Sequence, residues 1–283
     1  MTTITPSLAR KTWRTVEPFH AMIYFVPEGP ATYGTLGLEG QAGYFAPRAA
    51  GFGAASAEVV IATFYNFSPT LVRQCIPQAW QHASPSQIQA ARLEVADAAL
   101  RRMLGDGVDD PALARCAALA EAAAMAAAED LDGRPLFAAH CTLSWPEAPH
   151  LRLFWAQTLL REYRGDGHIA ALVTHQRSGV EALVLHAASG EVSAGALKAT
   201  RGWSQEEWEA TAERLAADGL VDLEPLRLTE TGLALRQQIE DLTDVLATRP
   251  YEAIGAQGCE ELRELARPFA KVIVADALVG ALQ

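Results

Sequence analysis

The sequence predicts a mainly α-helical protein, and three of its features support that fold class. Half of the 283 residues are hydrophobic, and most of these are alanine and leucine, which have the highest helix propensities. Aromatic residues make up only 7% of the chain, and runs of the β-branched residues that favour strands are few. Helix-starting pairs such as Ser84-Pro85 and Asp110-Pro111 also recur along the chain.

The first helix is expected to begin near Thr5-Pro6-Ser7, with Trp13, Val16 and His20 on one face. Residues 27–43 contain many Gly and Pro residues and should form short turns. Ser56 is a good N-cap for a buried helix over 58–67, although the β-branched residues there leave a strand as the alternative.

Three further helices complete the predicted N-terminal part. One follows Ser68-Pro69, a longer one follows Ser84-Pro85-Ser86, and an alanine-rich one occupies 111–128. The next stretch, 131–149, contains a turn, His140, Trp145 and two late prolines. It is interpreted as a linker whose apolar residues pack against the rest of the protein.

The C-terminal part has the order helix, helix, helix, short β-ribbon, helix. Residues 179–247 resemble the MarR-type winged helix, and the GLV…LxLTETG phrase between Gly219 and Gly232 carries that resemblance. The resemblance implies a recognition helix over 192–202, a supporting helix over 204–218 and a wing over 219–229. Ser204 and Glu207 fit a capping box at the start of the supporting helix.

The two parts of the chain also look like diverged copies. Residues 56–64 match residues 179–186 in pattern, and each segment is followed by a Ser-capped helix that ends at a tryptophan, Trp80 or Trp203. We therefore expect two diverged winged-helix-like halves, with a small β-wing only in the second. The predicted division is 1–130 for the first half, 131–149 for the linker and 150–283 for the second half.

Taken whole, the chain is similar to a family of actinobacterial helix-turn-helix-like proteins. The matching phrases are GYFAPRAAGFG at 43–53, ATFYNFSP at 62–69 and LLREYRGDGHIAAL at 159–172. The resemblance covers nearly the full chain. It implies a helix-turn-helix fold and points to no particular reaction.

DNA binding is open but disfavoured by charge. The net charge is −11, whereas proteins that bind a duplex usually present a basic face to its phosphates. The candidate DNA-binding residues are Lys198 and Arg201 on the expected recognition helix and Arg227 on the wing. The alternative is that the winged-helix unit is a scaffold.

The densest polar group in an apolar neighbourhood consists of Arg161, Arg164, Asp166 and His168. Arg161, Arg164 and His168 would share one helix face. Because buried charges are costly unless paired, one interpretation is an Arg–carboxylate network that locks the two halves together. The other is a cavity that recognises an anion or carboxylate, with Arg giving bidentate contacts and His a switchable proton.

The functional hypothesis is a protein that binds a small molecule in a cavity between the halves, with a ligand-responsive transcriptional regulator as its expected role. Arg48 and His168 would approach each other across it. The candidate ligand-binding residues are His20, Tyr24, Tyr44, Arg48, Phe64, Tyr65, Asn66, Arg161 and His168. The alternative is an enzyme on the same scaffold, with His168 or His20 as general acid–base and Arg48 or Arg161 stabilising negative charge on an aromatic or anionic metabolite.

No catalytic residue or cofactor can be assigned from motifs, because phosphate-binding loops and nucleophile elbows are absent from the sequence. The four cysteines form no CxxC pair, and the histidine spacing favours no metal site. An apolar signal core and a long apolar stretch are also missing, so a cytoplasmic protein that does not bind membranes is expected. The alanine-rich helix 111–128 and a C-terminal helix over 260–282, broken or started near Pro268, could form a homodimer.

Overall fold

A computed structural model describes the backbone of residues 4–280 and the side chains of residues 4–276. The mainly α-helical prediction is confirmed, and the described residues contain one two-stranded sheet. The N-terminal helices are α1 (Pro6–Ala21), α2 (Glu28–Thr35), α3 (Ala42–Ala49), α4 (Ala57–Phe64), α5 (Pro69–Cys75), α6 (Ala79–His82), α7 (Pro85–Leu104), α8 (Pro111–Ala127) and α9 (Pro135–Cys141). The remaining elements are α10 (Pro149–Thr174), α11 (Gly179–Ala188), α12 (Ala194–Arg201), α13 (Gln205–Ala217), β1 (Val221–Leu223), β2 (Leu226–Leu228), α14 (Glu230–Leu246), α15 (Arg249–Glu252) and α16 (Gly255–Gly280).

Side-chain caps set many of the helix starts. Ser56 accepts a hydrogen bond from the Val59 amide and begins α4, so this segment is the predicted helix and not the alternative strand. Ser204 and Glu207 form the predicted capping box of α13. A second capping box begins α11. Because each cap pairs backbone amides that a helix leaves free, local sequence alone was sufficient to predict where α4 and α13 begin.

Two local predictions are corrected. Residues 27–43 are not only turns, because Glu28–Thr35 forms α2 and α3 begins at Ala42. The C-terminal helix neither breaks nor starts at Pro268 but runs through it within α16, whose predicted last residues, 281–282, lie outside the described part. The glycines of α10 allow close packing without interrupting the helix, since a Cβ on Gly167 would lie 3.1 Å from Arg134 Nη1 and 3.2 Å from Leu246 Cβ.

Helix α10 lies at the centre of the larger hydrophobic core. Its apolar residues from Leu153 to Tyr163 are buried around the helix, and α1, α7, α8 and α16 pack in the same core. A helix that is buried on all sides has no solvent-facing stripe for charged residues. Glu162, Arg164 and Asp166 of α10 are nevertheless among its buried residues, so each needs a partner inside the protein.

The predicted linker, 131–149, contains helix α9, whose Leu136 and Phe137 are buried in the larger core. That core also includes Cys259 to Ile273 of α16, so it joins residues from both predicted halves. Alanines of α8 and α16 pack within this same core. The division into halves stays a prediction, and its outer residues, 1–3 and 281–283, lie outside the described part. The homodimer also stays a prediction.

A smaller core organises residues 179–228, which we call the helix–ribbon unit. Leu183 to Ala188 of α11, Leu197 of α12 and Trp208 of α13 are buried there with Val221 of β1. The strands β1 and β2 pair antiparallel, with Val221 opposite Leu228, and form the predicted ribbon. The order of elements is therefore as expected from 192 to 229, while identity with the MarR-type winged helix stays a prediction.

The helix–ribbon unit is docked on the N-terminal part through backbone contacts. The Ser68 amide donates to the Arg201 carbonyl at 2.8 Å, and the Trp203 indole donates to the Asn66 carbonyl at 2.9 Å. At the start of α11, a Cβ on Gly179 would lie 2.0 Å from the Tyr65 carbonyl oxygen. Only glycine allows the two backbones to approach this closely.

Replacing Gly179 with Ala is expected to destabilise the protein by about 1–3 kcal/mol, the usual cost of overpacking. The methyl group would force backbone against backbone at this junction. Urea denaturation of the two proteins measures the difference. Gly195→Ala in α12 is the matched control, because a Cβ there meets nothing within 4 Å, and it should be neutral or stabilising by up to about 1 kcal/mol. Equal stabilities of the two variants would contradict the tight junction.

Candidate functional site: an arginine-lined cavity beside helix α10

A cavity of about 590 Å³ lies between the N-terminal part, α10, α14 and the helix–ribbon unit. Many of the predicted ligand-binding residues line it, and these are Tyr44, Arg48, Phe64, Tyr65, Asn66, Arg161 and His168. The other two lie elsewhere. His20 is fully buried and hydrogen-bonds the hydroxyl of Tyr24, which lines a second cavity.

Arg48 is held by a carboxylate of α10. Its Nε donates to Glu162 Oε1 at 3.0 Å and its Nη2 donates to Oε2 at 2.8 Å, a bidentate pair. Glu162 is 1% exposed. Burial alone would raise the pKa of Glu162, but the charge of Arg48 and its hydrogen bonds outweigh burial and hold this pKa well below its ordinary value. Arg48 and His168 both line the cavity, while the direct partner of Arg48 is Glu162.

Arg161 and Arg164 also have carboxylate partners. Arg161 pairs with Glu17 of α1, and Arg164 pairs with Asp244 of α14 at 2.7 Å and with Glu240 at 3.3 Å. These pairs, with Arg48–Glu162, form an Arg–carboxylate network across α1, α3, α10 and α14, as the first interpretation of the polar group required. Burial lowers the pKa of Arg161, and the charge of Glu162 opposes this effect.

His168 lines the cavity, and its hydrogen bonds define which ring nitrogen carries the proton. The Thr243 hydroxyl donates to the Ile239 carbonyl at 2.7 Å, so its oxygen must accept from His168 Nδ1, 2.9 Å away. We infer that Nδ1 carries the proton and that Nε2 is a hydrogen-bond acceptor. Burial lowers the pKa of His168, although Glu240 opposes this. The ring is therefore neutral at pH 7.

Arg201 of α12, a predicted DNA-binding residue, instead lines this cavity. Its guanidinium carbon lies 4.7 Å from the centroid of the Phe67 ring, and its buried Nε has no hydrogen-bond partner among the described residues. Among the described side chains, no carboxylate lies within 4.0 Å of it. Burial lowers the pKa of Arg201, which Tyr44 opposes and the nearby charge of Arg48 reinforces. Arg201 is therefore a partly desolvated cation without a counter-ion.

The other two predicted DNA-binding residues are already engaged. The Lys198 ammonium donates to Gln205 and lies 5.8 Å from the Trp208 ring centroid. Arg227 of β2 pairs with Asp222 of β1 at 2.8 Å. The neighbouring α13 exposes four carboxylates, those of Glu206, Glu207, Glu209 and Glu213. This surface would repel a duplex.

Sequence reasoning did not single out Glu17 or Glu162, and it assigned Arg201 to DNA. Glu162 stands next to Arg161 in the polar stretch of α10, and an acidic residue in a buried helix is a signal that could have been used. The role of Glu17 depends on the packing of α1 against α10, for which the local sequence carries no signal.

The described residues contain no group of three or more His, Cys, Asp or Glu side chains that could hold a metal ion. None of the helices among them is long and apolar enough to cross a membrane.

Asp166 should make stability depend on pH. It accepts from the Phe137 amide at 2.9 Å, and burial raises its pKa from 3.8 to about 7 against the effect of that hydrogen bond. Between the ordinary pKa and the raised pKa, the folded state binds more protons at Asp166 than the unfolded state does. The free energy of unfolding that Asp166 contributes therefore falls as pH rises from about 4 through 7. The free energy of unfolding of Asp166→Asn, relative to that of wild type, should rise by about 2 kcal/mol between pH 5 and pH 7.

Urea denaturation at several pH values measures this difference, and Asp132→Asn, at an exposed position in the turn before α9, is the control. Parallel pH profiles for Asp166→Asn and wild type would show that Asp166 titrates at its ordinary pKa.

Comparison with known proteins places this chain in a family. The profile of a helix-turn-helix family matches residues 9–280, which is nearly the whole chain. No curated protein matches the chain, and no solved structure does. Helix-turn-helix proteins commonly place their second helix in the major groove of DNA, so DNA is a possible partner. With almost its full length matched, this chain belongs to a helix-turn-helix family.

Proposed function

We propose that the protein binds a small aromatic anion in the cavity beside α10 and acts as a ligand-responsive helix-turn-helix regulator. The observation that carries the proposal is Arg201, which lines the cavity and whose buried Nε has no hydrogen-bond partner in the described part of the chain. A guanidinium withdrawn from water without a counter-ion is costly. An anion placed against it would remove that cost and could accept two parallel hydrogen bonds.

The charge balance around Tyr44 supports an anion. Arg48 has Glu162 as its partner, and Arg161 has Glu17. Burial lowers the pKa of Arg161, and the repelling charge of Arg201 adds to this effect. Two carboxylates therefore face three guanidinium groups, and one positive charge is left for a ligand.

The walls of the cavity support an aromatic body with a hydrogen-bond donor. Phe64, Tyr65 and Phe67 line the cavity, and a volume of about 590 Å³ is in the range of small-molecule sites. His168 also lines the cavity, and the Nε2 of its neutral ring would take a hydrogen bond from a hydroxyl or amine of the ligand.

The position of Arg201 would couple ligand binding to the helix that stands in the recognition position. Arg201 is the last residue of α12, and its carbonyl accepts from Ser68 of the N-terminal part. A ligand held by Arg201 would favour the docked position of α12 over others. The exposed residues of α12 are Gly195, Ala196, Ala199 and Thr200, so we propose the small molecule as the primary partner and DNA as a weakly bound one.

Arg201→Gln is expected to weaken binding of 1-naphthalenesulfonate, an aromatic anion followed by its own fluorescence, about 10- to 100-fold. This is the usual loss for a hydrogen bond to a charged group, about 1.5–3 kcal/mol. Lys198→Gln on the same helix is the matched control, since Lys198 does not line the cavity, and should leave binding unchanged. Equal affinities for the two variants would remove Arg201 from the site and the main support for the proposal.

An enzyme is the second candidate, and the acceptor nitrogen of His168 is the observation that favours it. A neutral imidazole next to bound substrate can act as a general base. In a mixture of cell metabolites followed by mass spectrometry, wild type should then consume one compound and His168→Gln should bind that compound without consuming it. A compound that both proteins bind and neither consumes would support the regulator instead.

A further inference from the structure

A second cavity, of about 670 Å³, lies in the N-terminal part of the molecule. It is bounded by the turn after α1, by α2 and α3, and by Arg92 of α7. Its walls are mostly apolar or aromatic and include Ile23, Val26, Leu38 and the rings of Tyr24 and Tyr33. It shares only Tyr44 and Arg48 with the first cavity. The two cavities are therefore separate sites with one common wall.

Arg92 is a buried cation in the wall of this second cavity. It is 1% exposed, and its Nη1 contacts the Pro47 carbonyl at 3.3 Å and His140 Nε2 at 3.2 Å. Its Nη2 is buried and has no hydrogen-bond partner among the described residues. No described carboxylate lies within 4.0 Å of its guanidinium.

The neighbours of Arg92 do not supply the missing negative charge. His140 Nδ1 lies 2.8 Å from the Leu136 carbonyl, to which it can only donate. Its Nε2 is therefore the acceptor for Arg92 in a neutral ring. Burial and then Arg92 lower the pKa of His140 to about 4, so the ring is uncharged at neutral pH. A buried guanidinium with only neutral acceptors is costly and favours an anion in the adjoining space.

Tyr24, on the same cavity, has a hydroxyl whose proton is directed away from any ligand. The Thr158 hydroxyl donates to the Phe154 carbonyl at 2.9 Å, so its oxygen accepts from His20 Nδ1, 2.8 Å away. His20 Nε2 is then the acceptor for the Tyr24 hydroxyl, at 2.9 Å. The Tyr24 oxygen can therefore only accept a hydrogen bond from a molecule in the cavity.

We propose that the second cavity binds an aromatic carboxylate bearing a hydroxyl group, with its carboxylate on Arg92 and its hydroxyl donating to Tyr24. The carboxylate would supply the counter-ion that Arg92 lacks. The aromatic body would lie against Tyr24, Tyr33 and the apolar wall. This site is independent of the proposed anion site at Arg201, since neither Arg92 nor Tyr24 lines the first cavity.

The test is calorimetric titration with 4-hydroxybenzoate in the Arg201→Gln background, in which anion binding to the first cavity is expected to be weakened. We expect saturable binding of one molecule per chain. Benzoate, which lacks the hydroxyl, should bind about tenfold more weakly, and 4-hydroxybenzyl alcohol, which lacks the carboxylate, should not bind measurably. Absence of saturable binding at millimolar concentration, or equal binding of the alcohol, would overturn the proposal and leave a buried water as the partner of Arg92.

Tyr24→Phe should weaken 4-hydroxybenzoate about tenfold and leave benzoate unchanged, because it removes only the accepting oxygen. Tyr33→Phe makes the same chemical change on the same cavity and should affect neither compound. Arg92→Met should abolish binding of both carboxylates, and circular dichroism establishes that it is folded. If Arg92→Met does not fold, the Tyr24→Phe and Tyr33→Phe pair decides. Equal effects of these two variants would overturn the proposal.

Discussion

The pairing of buried charges on α10 is the constraint on which the rest of the structure depends. This helix lies in the middle of the larger core and carries Glu162, Arg164 and Asp166 there. Each is compensated by a different element: Glu162 by Arg48 of α3, Arg164 by Asp244 of α14, and Asp166 by the first turn of α9. Removing one partner of such a pair leaves an isolated buried charge, which costs several kcal/mol. The network therefore restricts how α3, α9 and α14 can be placed around α10.

The need to compensate buried charge also distinguishes arginines that already have a carboxylate partner from arginines that could bind a ligand. Arg48, Arg161 and Arg164 line the first cavity, but their carboxylate partners already satisfy them. Among the described residues, neither Arg201 in the first cavity nor Arg92 in the second has a carboxylate partner; Arg92 is buried and Arg201 is half-buried. A cation that is buried and uncompensated is a stronger indication of a ligand than one that is merely present. On this criterion the proposed ligand contacts move from the paired arginines to the unpaired ones.

Helix α12 bears on both the family assignment and the proposed ligand binding. The chain belongs to a helix-turn-helix family, and α12 stands where the second, recognition helix is expected. Its C-terminal end, however, is fastened to Ser68 of the N-terminal part, and the carboxylates of α13 lie beside it. Under the proposed function, this junction would make α12 the element that responds to a bound ligand.

The sequence by itself determined what depends on local chemistry: the helical class, the caps at Ser56 and Ser204, the ribbon, and many of the residues around the first cavity. These follow from propensity, side-chain-to-backbone hydrogen bonds and the grouping of polar residues in apolar segments. Only the tertiary structure decided which arginine is paired, that Glu17 and Glu162 are the partners, that Arg201 faces a cavity, and that Tyr24 lines the second cavity while the fully buried His20 lines neither of the two. The reason is that burial and charge compensation arise between residues more than a hundred positions apart, as with Arg48 and Glu162, and no local pattern records those distances.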